Sequence, residues 1–155
     1  MPEKKTIERA RKDAREGKAP STQAGEFVRE EMEHIREGKH GARSPQQAIA
    51  IGLSKARRAG VKLAPPKAGR TSDRTRRQAE RDLAKGQSGR KRKTSAKRSR
   101  ATQGALKREG RSAASHRALS QQAKRAARAR KRRGTVSQTS SRSRSRSSRS
   151  RSRSR

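Results

Sequence analysis

The sequence contains no cysteine, tryptophan or tyrosine, and its one aromatic side chain is Phe27. A chain without cysteine forms neither disulfides nor thiolate zinc sites, so the redox compartment is unconstrained. A chain with one aromatic residue has no platform on which bases could stack. Phe27 falls on an apolar helical stripe and is expected in a core. These absences argue against a sequence-specific reader of single-stranded RNA.

Long apolar runs are also absent. No stretch approaches the ~18 apolar residues of a spanning helix, and the basic segments lack the Trp, Phe or Leu face of an interfacial helix. The start of the chain, MPEKKTIERARKD, carries charges where a signal peptide needs an apolar run. We therefore expect no membrane partner and a cytoplasmic location.

Acidic residues become scarce halfway along the chain. Residues 1–63 contain 15 Lys and Arg against 9 Asp and Glu, whereas residues 64–155 contain 32 against 4. Large apolar residues show the same division, with only Leu83, Leu106, Leu119 and Val136 after Pro65. With 25% hydrophobic residues and a net charge of +34, the composition is typical of a largely disordered chain. Any core is expected within residues 1–63.

Apolar periodicity predicts three helices in this first part. Residues 22–37 form one stripe, residues 44–59 form another, and residues 6–16 form a shorter helix. The acidic residues of the second helix, which include Glu30 and Glu33, are expected on an exposed face. The module could dimerise, because its few apolar side chains supply little burial against the entropy of ordering some 50 residues.

The stretch SPQQAIAIGLSKARRAG contains residues that favour both the start and the end of a helix. Ser44 can cap the helix, Pro45 suits its first position, and Gln47 can close a capping box. Gly60 and Val61 predict a Schellman ending. Gly52 lies on the apolar face, which predicts close approach of another backbone. Lys55, Arg57 and Arg58, at the end of this helix, could contact phosphates or interact with its dipole.

The remaining chain is predicted to be basic and mostly unfolded alone. The domain prediction is a helical module at 1–63, a Pro-containing linker at 64–70, a basic region at 71–134 and a disordered Arg/Ser tail at 135–155. Conditional helices are expected at about 72–85, stopped by Gly86, and at 112–132, with a basic linker over 89–100. The fold class is therefore all-α, a small helical hairpin module of two to three helices followed by a largely disordered basic region with transient helices.

Basic side chains of this region are the candidate nucleic-acid-binding residues. Arg outnumbers Lys 32 to 15 over the chain, which favours forked contacts to phosphates. The candidates are Arg74, Arg76, Arg77, Arg81, Arg90, Lys91, Arg92, Lys93, Lys97, Arg98, Arg100, Arg117, Lys124, Arg125, Arg128, Arg130, Lys131, Arg132, Arg133, Arg142, Arg144 and Arg146.

Catalytic and metal sites find little support in the sequence. Glu30, Glu31 and His34 have a spacing that can place ligands on one helical face, but the next helix offers no His, Asp or Glu. His40 and His116 lack a nearby Ser or Cys with an orienting acid. We therefore expect no enzyme, no cofactor and no metal site.

The run STQAGEFVREEMEHIREGKHGARSPQQAIAIGLSKARRAGVKL resembles a domain of unknown function found in small, very basic bacterial proteins. The segments ALKREG and SAASHRALS resemble the downstream part of the same proteins. The resemblance implies a bacterial, nucleoid-type protein, histone-like in physical design, and no transferable activity. The Arg/Ser tail differs from the Ala-Lys or Ala-Arg tails of such proteins.

These observations predict a non-enzymatic, sequence-tolerant DNA-binding protein that compacts or bridges DNA. An RNA- or ribosome-associated protein would use the same charge, and DNA is the favoured partner. A third alternative is an adaptor whose helical module binds a protein.

Overall fold

The computed structural model describes residues 2–89 and 95–132. Its helices are α1 (Lys4–Arg15), α2 (Pro20–Arg36), α3 (Pro45–Arg58), α4 (Asp73–Gln87), α5 (Ala96–Arg108), a 3₁₀ turn (Ser112–Ala114) and α6 (residues 116–132). The described ranges contain no strand, so the prediction of an all-α fold is confirmed there. Contacts divide the chain into two compact units, Met1–Ala118 and Leu119–Arg155.

The first unit is organised around α2 and α3. These two helices pack against each other, α1 packs on α2, α4 packs on α3, and the 3₁₀ turn contacts both central helices. The apolar core contains Ala10, Ala24, Phe27, Ala56 and Val61. Small residues dominate this core, which lets the helix backbones approach closely.

The predicted N-cap at Ser44 and the predicted Schellman ending at Gly60 and Val61 are confirmed for α3. Ser44 Oγ accepts a hydrogen bond from the Gln47 backbone N–H at 3.3 Å. The Gln47 side-chain oxygen accepts a hydrogen bond from the Arg43 backbone N–H at 2.8 Å. A capping box would instead join Gln47 to the backbone N–H of the N-cap residue, Ser44. At the other end Gly60 has a φ of 99°, and Val61 N–H donates to Ala56 O at 3.1 Å, as a Schellman motif requires.

Gly52 lies at a close contact between α2 and α3. A Cβ at Gly52 would lie 2.7 Å from Val28 Cα. The predicted close approach of another backbone is therefore confirmed, because no larger residue fits there without a shift of α2.

The prediction of a largely disordered basic region is wrong for the described residues. Helix α4 packs against α3 and buries Ala79 and Asp82. Gly86 does not end this helix, which continues to Gln87. A Cβ at Gly86 would overlap the Arg57 carbonyl oxygen, so this glycine permits close contact with α3. The prediction was based on the scarcity of large apolar side chains. Helix α4 is instead held against α3 by Ala79, Gly86 and the buried carboxylate of Asp82.

Two further segments differ from expectation. The predicted linker at 89–100 contains the start of α5, whose Ala, Lys, Gln and Leu residues favour a helix. The helix predicted over 112–132 is a 3₁₀ turn followed by α6 from residue 116. The Arg/Ser tail predicted at 135–155 lies outside the described residues.

The predicted acidic face of α2 is also partly wrong. Glu30 and Glu31 are buried, with exposed fractions of 3% and 1%. Both carboxylates lie beside the Lys55 ammonium of α3, whose Nζ is 3.4 Å from Glu30 Oε1 and 2.6 Å from Glu31 Oε2. Ion pairing between helices accounts for their burial.

Candidate nucleic-acid interface

Most carboxylates of residues 1–63 have a basic partner nearby. Asp13 pairs with Lys18 at 2.8 Å, and Glu37 pairs with Lys39 at 2.9 Å. Glu31 belongs to the same pattern through its contact with Lys55. Nine acids thus offset part of the 15 Lys and Arg in residues 1–63, whereas α5 and α6 contain no acid.

Helix α4 carries a basic stripe on the side away from α3. Arg74, Arg77 and Arg81 are exposed and follow i, i+3 and i+7 spacing, and Lys85 extends the row by one turn. At 1.5 Å per residue the row is about 16 Å long. Like charges at this spacing repel each other, so the helix gains stability when a polyanion neutralises them.

Arg76 does not join this stripe. Its guanidinium lies 3.6 Å from Asp73 Oδ1 and 3.3 Å from Glu80 Oε1, and the residue is half-buried. Of the four candidate arginines on α4, Arg76 is thus the one with carboxylate partners on its own helix.

Helix α5 presents its basic side chains without an apolar anchor. It contains five Lys and Arg, no acid and no buried residue. The candidates Lys97, Arg98 and Arg100 are all exposed. The C-terminal end of α5 is held by backbone pairing, since Gly41 N–H donates to Leu106 O at 2.9 Å. The five cations of α5 therefore cover about half of its circumference.

Helix α6 has the highest density of net positive charge among the described helices. It contains seven Lys and Arg and no acid. Arg117 is exposed within the first unit, and the second unit exposes the other six candidates, which are Lys124, Arg125, Arg128, Arg130, Lys131 and Arg132. Each unit thus carries exposed cations of its own.

The other candidates lie outside the described residues. They are Arg90, Lys91, Arg92, Lys93, Arg133, Arg142, Arg144 and Arg146.

The sequence analysis missed three exposed cations that continue these surfaces. Lys85 lies on the α4 stripe, and Lys107 and Arg108 lie on the last turn of α5. Helical spacing counted from Arg74 and Arg81 would have included Lys85. Lys107 and Arg108 had no comparable signal, because they fall beside Leu106 and Glu109, outside the basic run.

Three basic residues of α3 are engaged within the fold. Lys55 contacts Glu30 and Glu31, as described above. Burial lowers the pKa of the Arg57 guanidinium, which donates to Leu63 O at 3.1 Å. This contact fixes the chain as it leaves α3. Phosphate contacts were one expectation for Lys55 and Arg57, but both side chains have partners inside the protein.

Arg58 joins α3 to α4 through Asp82. Arg58 Nε donates to Asp82 Oδ1 at 2.7 Å, and Ser54 Oγ donates to Oδ2 at 2.7 Å. Burial by itself would raise the pKa of Asp82, but hydrogen bonds from Ser54, Arg58 and Gln78 outweigh it and hold the pKa below 3.8. This ionised carboxylate positions α4 so that its basic stripe faces outward.

No helix in ranges 2–89 and 95–132 is long and apolar enough to cross a membrane.

Comparison with known proteins adds one match. Residues 17–68 match the model of a family of unknown function, DUF6496, over about one third of the chain. No curated protein and no solved structure gives a significant match. The matched segment begins at the end of α1, contains α2 and α3 and stops before α4. Residues 17–68 are thus similar to a family that has no assigned activity. The basic helices α4, α5 and α6 lie outside the matched segment.

Proposed function

We propose that this protein is a non-enzymatic, sequence-tolerant DNA-binding protein that acts in the cytoplasm on nucleoid DNA. The observation that carries the proposal is the separation of charge among the described helices. Acids are paired with bases of the N-terminal helices, whereas α5 and α6 contain no acid and expose their cations. A surface of this kind attracts a polyanion without distinguishing its sequence.

Binding would be driven by release of counterions from the phosphates. Each phosphate neutralised contributes a slope of about −0.9 to log K against log salt. The exposed arginines on α4 and α5 supply forked donors for phosphate oxygens. With two units each carrying cations, one chain could contact two duplex segments and bridge them.

The resemblance to very basic bacterial proteins supports the nucleoid assignment. A second copy joined through the N-terminal helical module, residues 1–63, would add to bridging, and this dimerisation belongs to the proposal.

The proposal is tested by salt-dependent binding of the full chain to duplex DNA, measured by fluorescence anisotropy. Arg74→Gln/Arg77→Gln/Arg81→Gln should weaken binding and reduce the slope by about 2 to 3, because three phosphate contacts are lost. The matched control, Lys4→Gln/Lys5→Gln/Arg11→Gln, removes three exposed cations from α1. Equal losses in both variants would contradict a defined surface, and strong preference for one site over scrambled DNA would contradict sequence tolerance.

RNA is the alternative ligand for the same surface. Native pull-down followed by nuclease treatment separates the two, since loss of bound nucleic acid on RNase but not DNase would replace DNA by RNA in the proposal.

The extent of the family match favours an adaptor role as a second candidate. The matched residues 17–68 stop before the basic helices, so the family resemblance resides in α2 and α3. A chain truncated after residue 89 keeps α4 against α3 and lacks α5 and α6. Retention of a specific protein partner by this truncated chain would support the adaptor, and loss of all partners with the nucleic acid would oppose it.

A further inference from the structure

Three potential metal ligands converge at the C-terminal end of α2. Glu31 and His34 are three residues apart on this helix, and His40 comes from the loop that follows it. One ligand atom from each lies within 4.8 Å of the others. Helix α3 contains no His, Asp or Glu, and the further ligand is His40 from the loop after α2.

The His40 ring is oriented as a ligand would be. His40 Nδ1 lies 3.1 Å from the Gly41 carbonyl oxygen, and because a carbonyl only accepts, Nδ1 carries the hydrogen. Nε2 is then the ring nitrogen that can offer a lone pair, and it lies 3.3 Å from Glu31 Oε1. A lone pair and a carboxylate oxygen at this separation can bind one cation together. A backbone carbonyl that fixes the tautomer of a histidine is the usual support for metal binding.

The separation also fits a metal ion. Ligands about 2.0 to 2.1 Å from a tetrahedral ion are about 3.3 Å from each other. His40 Nε2 and Glu31 Oε1 have this spacing already. The two imidazole rings meet edge to face, with centroids 6.0 Å apart and an angle of 87°. Small side-chain movements would bring His34 into the same sphere.

The surrounding charges leave room for a cation. The Lys55 ammonium lies 2.6 Å from Glu31 Oε2 and pairs with this oxygen by charge, although the geometry is not that of a hydrogen bond. The other oxygen, Glu31 Oε1, faces His40. Glu3 Oε1 lies 2.8 Å from His34 Nε2 and 3.3 Å from Lys39 Nζ. Glu3 and Glu31 are thus the carboxylates that contact the two histidines.

Glu3 orients the His34 ring, because its Oε1 lies 2.8 Å from His34 Nε2. Two imidazoles and one carboxylate form a donor set that suits zinc and other first-row divalent ions and that magnesium and calcium do not favour.

We propose that Glu31, His34 and His40 bind one divalent first-row transition metal ion, with Zn²⁺ as the best fit. The ion would join the end of α2 to the following loop. That loop pairs with the end of α5 and with the segment after it, since Gly41 N–H donates to Leu106 O at 2.9 Å and Ala42 N–H donates to Gly110 O at 3.0 Å. The site would therefore stabilise the anchor of α5.

The test is calorimetric titration of the full, nucleic-acid-free chain with ZnCl₂, together with visible absorption of the Co²⁺ form. We expect one ion per chain, visible d–d bands with Co²⁺ and no binding of Mg²⁺. His34→Ala and His40→Ala should each weaken Zn²⁺ binding at least tenfold, in line with effects of about 10- to 100-fold for supporting residues alone. His116→Ala is the matched control, because this exposed histidine lies on α6.

Several outcomes would overturn the proposal. Failure of the wild-type chain to bind Zn²⁺ is one, and this measurement needs no variant. Equal binding by wild type and His40→Ala is another, since it would assign the ion to unrelated surface groups. If His40→Ala loses helical circular dichroism, His40→Gln takes its place, and unchanged affinity in that variant would likewise overturn the site.

Discussion

Buried charged residues determine how the helices of the first unit meet. Asp82 is 1% exposed, and it accepts hydrogen bonds from Ser54, Arg58 and Gln78. Arg57 is 7% exposed and holds the carbonyl groups of Leu63 and Ala64. Each charged group is buried with partners from another segment, which is the condition under which burial of charge is tolerated.

Asp82→Asn should destabilise the protein by about 1 to 3 kcal/mol, because it weakens hydrogen bonds to a buried group. The shift in urea midpoint measures this change. Asp73→Asn is the control, since the Asp73 side chain is 75% exposed. Equal midpoints for Asp82→Asn and wild type would show that the contact to α3 contributes little.

The same carboxylate predicts a dependence of stability on pH. The pKa of Asp82 is lowered from 3.8 in the folded protein. Its stabilisation is therefore fully present above pH 3.8 and is lost as the pH falls through the lower folded pKa. Urea unfolding at a series of acidic pH values should show this loss in wild type, and Asp82→Asn should show less of it. An equally steep loss in both proteins would assign the effect to other carboxylates.

Replacing two helical glycines, Gly52 and Gly25, by alanine should change the stability of the protein in opposite directions. Gly52→Ala should cost about 1 to 3 kcal/mol by overpacking, although alanine favours a helix. Gly25→Ala should instead stabilise by about 0.5 to 1 kcal/mol, because nothing lies within 4 Å of a Cβ at Gly25 on α2. Thermal unfolding of both variants measures the contrast. Stabilisation by Gly52→Ala would contradict the close contact with Val28.

At the scale of elements, the helices differ in how they are supported. Helices α2 and α3 bury residues on both sides of their contact, whereas α5 has no buried residue and is attached through its end. Helix α4 is intermediate, with Ala79 and Asp82 buried against α3. Local stability follows buried contact, so it should fall from α3 to α4 to α5.

Hydrogen exchange followed by mass spectrometry should show this order. Amides of α5 should exchange fastest among these three helices, since opening α5 exposes little buried surface. Addition of duplex DNA should slow exchange in α5, because phosphates neutralise its five basic side chains. Protection of α5 equal to that of α3 without DNA would contradict the weak support described here.

At the scale of the whole molecule, charge is divided along the chain. Residues 64–155 carry 32 Lys and Arg against 4 acids, and most bases there are arginine. Like charges in this region repel each other, so under the proposed function duplex DNA would relieve this repulsion.

Replacing Arg74, Arg77, Arg81, Arg98 and Arg100 by lysine keeps the net charge and tests the kind of contact. Affinity for duplex DNA should fall several-fold, because lysine cannot form forked contacts to phosphate. The salt slope should stay the same, since the number of neutralised phosphates is unchanged. Anisotropy titrations at several salt concentrations measure both quantities. Unchanged affinity would show that these residues act as point charges.

Local sequence patterns determined several features of this protein by themselves. The caps of α3, the contact at Gly52 and the division of charge near Pro65 were all predictable, because each depends on neighbouring residues or on composition. The DNA-binding candidates on α4, α5 and α6 follow from the same composition and remain predictions. The Arg/Ser tail lies outside the described residues, so its predicted role is untested.

Only the tertiary structure decided which charges are buried and which helices pack. Glu31 and Asp82 look like surface acids in the sequence, yet each is paired with a basic residue 24 positions away, Lys55 and Arg58 respectively. The convergence of His34 and His40 on Glu31 likewise depends on the path of a loop. The physical reason is that burial of a charge is favourable only with a partner, and partners distant in sequence are brought together only by folding.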